Sequence, residues 1–282
     1  MTVLDLSQAN RLFYGADELS AVWYGGQQLW AGADAKVLKM FDGARKGLVI
    51  NPSDPATRFQ DAAGSMHVTT HLQRLGLVRD KSPNGFHVSQ PIADDRPTYE
   101  VVGGKSFMTG NGLRHHLKTV DLNFSHTTTM TIGMAVTRAG PTGVVLAEFG
   151  RNHADTGEWY LSTEDSYRVN MGGPSYRQRG TLLALRSVDI VIGTFDRGSG
   201  GSSPNIWQNG VLSAQAIYGG GVTGPFNNLR PIILLARWTG SQPTGATSSK
   251  VAGFFVLDRL VTEPERLDLQ SWLANLGGVT LP

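Results

Sequence analysis

The 282-residue sequence predicts an all-β fold, a β-sandwich with a short N-terminal β-hairpin segment and one C-terminal helix. Three observations lead to this prediction. The 35 glycines and 13 prolines, in a chain that is only 17% charged, are typical of many tight turns. Several segments alternate apolar and polar residues with the two-residue period of a half-buried strand. A clear helical pattern occurs once, near the C-terminus.

The composition limits the classes of function. The chain has no cysteine, which excludes disulfides and thiolate chemistry and fits assembly in a reducing cytosol. The formal charge of +2 arises from 25 basic and 23 acidic residues without a Lys/Arg block, so we expect no nucleic-acid partner. No apolar run approaches the ~20 residues that cross a bilayer, so we expect no membrane insertion. The N-terminus also lacks a signal-peptide pattern.

Two copies of a ten-residue unit form the N-terminal segment: residues 12–21 read LFYGADELSA and residues 22–31 read VWYGGQQLWA. Each unit predicts two short strands around a Gly-centred turn. Two hairpins are too small to bury their own aromatic rings, which therefore need another surface. We expect them to dock on a partner protein through Phe13, Tyr14, Trp23, Tyr24 and Trp30. The alternative is that the segment covers one end of its own sandwich.

The small residues 31–35 predict a joint between this segment (residues 1–32) and a second domain (residues 33–282). The repeat resembles the tyrosine-glycine elements found near the N-termini of many phage tail proteins. That resemblance implies docking onto other virion proteins through residues 12–30.

Residues 47–99 carry an ordered string of short motifs. They are Pro52-Ser53-Asp54, Phe59-Gln60-Asp61 with Gly64, Asp80 to Gly85 followed by His87, and Arg96-Pro97-Thr98. In this order the motifs resemble those of phage and prophage proteins with a concanavalin A-like, laminin-G-like domain. The resemblance implies a jelly-roll β-sandwich over most of residues 36–282. The chain departs from the pattern at Ile50-Asn51 and over residues 105–117, so no ligand role is carried over to that second segment.

The remaining sequence predicts a sandwich without this resemblance. The segment TMTIGMAVT at 129–137 has the alternation of a strand with one buried face. Asn209-Gly210 between apolar residues predicts a tight hairpin, because both positions tolerate a positive φ. Further strands are predicted at 144–149, 188–195, 232–238 and 251–260.

The C-terminal helix has a start signal and a stop signal. Thr262 and Glu265 form a capping box, with Pro264 in the first turn. Gly277-Gly278 ends the helix. Its apolar stripe consists of Leu269, Trp272, Leu273 and Leu276.

No catalytic pattern is recognisable. Glycan-cleaving members of the superfamily place carboxylates on one strand as Glu-x-Asp-x-x-Glu, and this string is absent. Glu148 and Glu158 are separated by turn-like sequence. The missing motif does not exclude a catalytic pair of carboxylates that come from two different strands. We therefore expect no catalytic residue and no enzymatic activity.

Two groups of residues resemble metal ligands. Asp80, Ser82 and Asn84 form an oxygen-rich loop, but their spacing is typical of an Asx turn. His115 and His116 are adjacent and would point to opposite faces of a strand. We expect no metal and no cofactor.

Carbohydrate recognition needs exposed aromatic rings beside polar side chains, because the C–H faces of sugars stack on rings. Trp159 and Tyr176 lie near Gly-rich turns, and Arg177 follows Tyr176. These three are the candidate glycan-binding residues. Trp207 and Trp238 fall within apolar runs and are predicted to be core residues.

These features predict a non-enzymatic virion protein of a tailed bacteriophage, assembled in the host cytoplasm. It would dock by its N-terminus and display a lectin-like sandwich that binds a host surface glycan. The alternative is an architectural protein of head or tail without a ligand, and a glycan depolymerase is the least favoured reading. The resemblance also implies a homo-oligomer, by analogy a trimer. The sequence does not distinguish tail from head attachment.

Overall fold

The computed structural model describes residues 12–14, 17–19, 21–24, 27–31, 33–138, 143–151, 155–163, 166–172, 177–181, 187–198, 204–215, 217–220, 222–239 and 242–281. In chain order the strands are β1 (Leu12–Tyr14), β2 (Asp17–Leu19), β3 (Ala21–Tyr24), β4 (Gln27–Ala31), β5 (Gly47–Ile50), β6 (Arg58–Phe59), β7 (Leu77–Val78), β8 (Val88–Ser89), β9 (Thr98–Val102), β10 (Lys105–Thr109), β11 (Leu117–Lys118), β12 (Thr129–Thr137), β13 (Val144–Phe149), β14 (Trp159–Thr163), β15 (Tyr167–Met171), β16 (Arg177–Gly180), β17 (Asp189–Asp196), β18 (Asn205–Gln208), β19 (Val211–Leu212), β20 (Tyr218–Gly219), β21 (Ile232–Leu234), β22 (Arg237–Trp238), β23 (Pro243–Thr244) and β24 (Lys250–Leu257). The helices are α1 (Ala33–Lys39), a 3₁₀ helix at Ala93–Asp95 and α2 (Glu263–Gly277).

The N-terminal repeat forms two hairpins, as predicted. Strand β1 pairs with β2, and β3 pairs with β4, both antiparallel. The side chains of the predicted docking residues lie outside the described part of the chain; they are Phe13, Tyr14, Trp23, Tyr24 and Trp30.

Two large sheets confirm the predicted β-sandwich. The first has eight strands in the order β19-β18-β17-β12-β24-β10-β9, with β5 also paired to β24. The second has ten strands in the order β20-β16-β15-β14-β13-β21-β11-β8-β7-β6. Apolar side chains from both sheets fill the space between them. The predicted strands at 129–137 and 144–149 have the expected bounds, and the apolar face of β12 points into this core.

Helix α2 packs on the outer face of the eight-stranded sheet. Its capping box is present, because the Thr262 hydroxyl accepts from the backbone N–H of Glu265 and the Glu265 carboxylate accepts from the backbone N–H of Thr262. Gly278 ends the helix with φ +69°. The buried side chains of Leu269, Trp272 and Leu273 join the apolar outer residues of the sheet. Among the described residues no helix has the length and apolarity needed to span a membrane.

The sequence predicts only the C-terminal helix, but the structure contains a second helix, α1. It lies in the predicted joint and packs against α2, burying Val37. Its Asp34 carboxylate accepts from the Trp272 indole at 2.6 Å and from the Lys81 ammonium at 2.5 Å. Seven residues are too few for a recognisable helical period, so the contacts with α2 decide its structure.

Local backbone geometry confirms one turn and corrects one strand. Asn209 and Gly210 have φ values of 52° and 88°, and they join β18 to β19 as the predicted hairpin. The predicted strand at 232–238 is broken, because Leu235 adopts a left-handed φ of 70° between β21 and β22. This break turns the chain out of the ten-stranded sheet before Trp238.

Candidate functional site

The outer face of the ten-stranded sheet carries a continuous cross-strand row of side chains, which we call the polar face. Each strand contributes one residue, and consecutive residues in the row are paired in register. In strand order from β6 to β16 the row is Phe59, Leu77, Ser89, Lys118, Ile233, Glu148, Tyr160, Asn170 and Gln178. Strand β20 continues the pairing beside Gln178, and the side chain at that position is not described. Because side chains alternate along a strand, this parity points away from the core. The opposite parity gives Leu117, Leu234, Ala147, Leu161 and Val169, all of them core residues.

The two faces of the sandwich differ in what lies on them. Helices α1 and α2 pack on the eight-stranded sheet, and no described helix packs on the polar face. Lys118, Tyr160 and Gln178 are half-buried and reach solvent, whereas Asn170 is buried between its neighbours. The amide of Asn170 donates to the Ser162 hydroxyl at 3.1 Å. This part of the row therefore combines an accessible ring with fixed polar groups.

The short strand β22 lies beside the middle of the row. The backbone N–H of Trp238 donates to Oε2 of Glu148 at 3.0 Å, and Nε of Arg237 lies 3.7 Å from Oε1. The Arg237 guanidinium carbon lies 4.9 Å from the centre of the Tyr160 ring, and the Lys118 ammonium lies 4.1 Å from the centre of the Trp238 ring. Both rings are half-buried. Each thus contacts a cation while part of its surface stays accessible.

The structure brings Glu148 and Glu158 close together, which their separation in sequence does not predict. The register pairs Phe149 with Trp159, so the two carboxylates are diagonal neighbours on adjacent strands. Both are fully buried. Oε1 of Glu158 accepts from the Arg230 guanidinium at 2.8 Å, and Glu148 is held by Trp238 and Arg237. A catalytic pair needs access to its substrate, and these carboxylates lack that access.

Of the three predicted glycan-binding side chains, the structure describes only that of Trp159. Trp159 is a correction: it is fully buried, because its position on β14 points into the core, where it stacks between Phe149 and Phe195 at 6.3 and 5.8 Å. Tyr176 lies outside the described residues. The backbone of Arg177 pairs with Met171 and Gly219, and its side chain is not described.

Trp207 and Trp238, predicted to be core residues, are both half-buried. Trp207 lies at the helix-covered sheet beneath Arg266, and Trp238 lies beside the polar face. The two rings of the candidate site are therefore Tyr160, which follows the favoured Trp159 in sequence, and Trp238, which its apolar run predicts to be buried. For Tyr160 a signal exists in the sequence, since Tyr160 alternates with the core residues Trp159 and Leu161.

The oxygen-rich loop at 80–84 is a structural turn. The Asp80 carboxylate accepts from the backbone N–H groups of Val49, Ser82 and Phe86 and from the Ser82 hydroxyl. These donors occupy the oxygens that calcium would need.

The adjacent histidines are buried, and their charged forms are disfavoured. Burial lowers the pKa of His115 to about 4 and also lowers the pKa of His116. His116 lies against Gln90 and Trp238. In the described part of the chain, no cluster of three His, Cys, Asp or Glu residues can hold a metal ion.

No family model and no curated protein sequence matches this chain. Solved structures do resemble it. A GH54 α-L-arabinofuranosidase soaked with a cyclic sulfate inhibitor has a TM-score of 0.57 at 10% identity, over 87% of this chain and 66% of that chain. A botulinum neurotoxin type C structure has a TM-score of 0.50 at 11% identity, over 73% of this chain and 51% of that chain. Cell entry of that toxin is described as dependent upon interaction with two ganglioside molecules.

A Trypanosoma rangeli sialidase in complex with 2,3-difluorosialic acid has a TM-score of 0.47 at 16% identity, over 74% of this chain and 32% of that chain. The chain thus spans between about one third and two thirds of these three structures. At such identities the likeness shows the fold. The protein is an all-β sandwich of a kind also present in a glycosidase and in a toxin that interacts with gangliosides.

Proposed function

We propose that the protein is a non-enzymatic, glycan-binding component of a tailed-phage virion. It docks to other virion proteins through residues 12–30 and binds a host surface polysaccharide through the polar face. The observation that carries the binding proposal is the arrangement of Tyr160 and Trp238 as half-exposed rings beside Arg237, Lys118 and the amide of Asn170.

This arrangement suits sugars for a physical reason. A pyranose has apolar C–H faces that stack on aromatic rings and hydroxyls that need fixed donors and acceptors. Tyr160 has Asn170 on the neighbouring strand, and Gln178 follows on the next one. A saccharide stacked on the ring would therefore lie on the side of the Gln178 amide, which reaches solvent, while the buried Asn170 fixes the strand between them.

The position of the helices supports the proposal that the polar face points away from the docking segment. The chain enters the sandwich at α1, which packs with α2 on the outer side of the eight-stranded sheet. The polar face lies on the opposite side of the sandwich. A protein held by its N-terminal hairpins would therefore present the polar face away from the particle. The virion placement itself, assembly in the host cytoplasm and a trimeric state are supported by the motif resemblance to phage proteins.

We propose that the protein has no enzymatic activity because its two neighbouring carboxylates are buried and paired. Glu148 and Glu158 are adjacent but fully buried and paired with arginines. Neither is placed to protonate or attack a glycosidic bond in solvent.

The alternative is an architectural protein without a ligand, and exposed apolar residues favour it. Val211 and Leu212 on the edge strand β19 are 46% and 49% exposed. Such an edge is suited to pairing with another subunit.

The test is binding of the purified protein to polysaccharide extracted from the candidate host, with polymer length followed in the same sample. We expect binding at unchanged length. Tyr160→Ala and Trp238→Ala should each raise the Kd by about tenfold, because each removes a stacking surface. Trp207→Ala is the matched control, since Trp207 is a half-buried tryptophan on the other sheet.

Each outcome separates the alternatives. Binding that survives both variants would exclude the polar face as the site. Shortening of the polymer would establish a depolymerase, and no binding would favour the architectural protein. Docking is tested separately: a truncation lacking residues 1–32 should fail to enter particles, and its incorporation would contradict the proposal.

A further inference from the structure

We infer that the ligand of the polar face is an anionic polysaccharide, one that carries carboxylate or phosphate groups along its chain. This inference rests on the proposed glycan-binding function and specifies the chemical class of the ligand. It follows from the distribution of charge on this face, which differs from the near-neutral balance of the whole chain.

Among the described residues, the charged side chains that lie beside the Tyr160 and Trp238 rings and reach solvent are positive. Lys118 and Tyr160 lie in the same row, and Arg237 projects beside them with 22% of its side chain exposed. Arg168, half-buried, lies on the same face as Asn170, two residues away on β15. Arg237 contacts the Tyr160 ring and Lys118 contacts the Trp238 ring, so a cation lies beside each ring on which a sugar would stack.

In the described part of the same face, the two glutamates, Glu148 and Glu158, do not reach solvent. Glu148 is the only acidic residue among the described side chains of the row, and it is fully buried against β22. Glu158, its diagonal neighbour, is also fully buried and paired with Arg230. Asp155 is exposed, but it too pairs with Arg230, at 2.9 Å. Burial of the carboxylates leaves the cations to determine the potential that a ligand encounters.

Of these cations, Lys118 is the one best placed to bind an anionic group of the ligand. Its ammonium contacts the Trp238 ring at 4.1 Å, and in the described part of the chain no carboxylate lies within 4 Å of it. A half-buried lysine that lies over an aromatic ring and has no carboxylate partner among the described residues is free of competition from those residues when it pairs with a ligand anion. The ligand would then meet a ring and a cation in the same place.

The experiment uses host polysaccharide separated by anion exchange into acidic and neutral fractions. We expect the full-length protein to bind the acidic fraction and not the neutral one. Binding should weaken as the salt concentration rises, because the cations are near the surface and are screened. Carboxyl reduction of the acidic fraction should abolish binding if the anions are uronates or sialates, and dephosphorylation should abolish it if they are phosphates.

A matched pair of variants locates the effect. Lys118→Gln should raise the Kd for the acidic fraction up to about fivefold, the value of one partly exposed ion pair. Lys39→Gln removes the same charge from an exposed position on α1, across the sandwich, and should leave the Kd unchanged.

The outcomes distinguish this inference from the proposed function. Equal binding of both fractions, or binding of the neutral fraction alone, would overturn the anionic ligand and leave glycan binding intact. Equal effects of the two lysine variants would show a long-range charge effect and overturn the site. Binding of neither fraction would overturn both proposals.

Discussion

The two sheets have outer faces of opposite character. On the eight-stranded sheet, β24 reads KVAGFFVL and is apolar at both parities, because one face packs into the sandwich and the other lies under α2. On the ten-stranded sheet, β14 reads WYLST, with Trp159 and Leu161 in the core and Tyr160 and Ser162 on the polar face. The helices thus convert one sheet into a doubly buried layer.

This difference separates stability from recognition. Residues under the helices are held by burial and should respond to mutation mainly through the free energy of unfolding. On the polar face, charged, hydroxyl and amide groups lie at accessible positions in Lys118, Tyr160 and Gln178. Substitutions there should change binding more than stability. The following variants test this division, from the largest expected effect to the smallest.

Replacing Trp272 by Ala should lower the free energy of unfolding by about 4 kcal/mol, because a buried tryptophan leaves a cavity that the sheet cannot fill. Trp272 is 1% exposed and donates to Asp34 at 2.6 Å. Urea unfolding measures the change. Trp238→Ala on the half-exposed side should cost about 1–2 kcal/mol. Equal costs for the two tryptophans would contradict the division between a covered and an accessible face.

Glu265→Gln should lower stability at neutral pH by about 1–2 kcal/mol, through loss of the charged capping box and of the bidentate pair with Arg259. The hydrogen bonds from Arg259 lower the pKa of Glu265 to about 2. Because the folded pKa lies below that of the unfolded chain, the stabilisation is complete above about pH 4.5.

This stabilisation is lost as the pH falls toward 2. The difference between wild type and the Glu265→Gln variant should therefore shrink over that window, as measured by unfolding at pH 7, 4 and 2.5. If the difference in the free energy of unfolding stays constant with pH, the negative charge of Glu265 does not contribute to the capping of α2. The control is Asp268→Asn, at a partly exposed position of the same helix, whose ion pair among the described residues is with Lys36.

Asp34→Asn should have the smallest effect, about 0.5 kcal/mol, because the amide oxygen can still accept from Trp272 and only a partly exposed ion pair with Lys81 is lost. Proteolysis within residues 33–41 provides a local readout. A loss above about 2 kcal/mol would mean that the carboxylate, and not apolar packing, holds α1 in place.

Local signals predict the long elements. The alternation in β12, the Asn209-Gly210 turn and the capping box of α2 each depend on a few neighbouring residues, and all three are confirmed. The two-residue strands β6, β7, β8 and β11 carry no period that a sequence can reveal. The polar face depends on the register of ten strands, so its existence cannot be read from any one of them.

Trp159 and Trp238 show that neighbouring residues in the sequence are also a poor guide to the exposure of a single side chain. Trp159 lies near glycines and is predicted to be exposed, but strand parity places it in the core. Trp238 lies in an apolar run and is predicted to be buried, but the left-handed Leu235 ends that run as a strand. Composition near a residue predicts its exposure poorly when strand register or a single backbone angle decides it.

The position of α1 has a mechanical consequence. Tension applied to the N-terminal hairpins would reach the sandwich at Ala33, through α1 and β5, which contact α2 and β24. The load would then fall on the layer farthest from the polar face. The strands of the polar face lie in the other layer, so the applied force reaches them only through the core that the two sheets share.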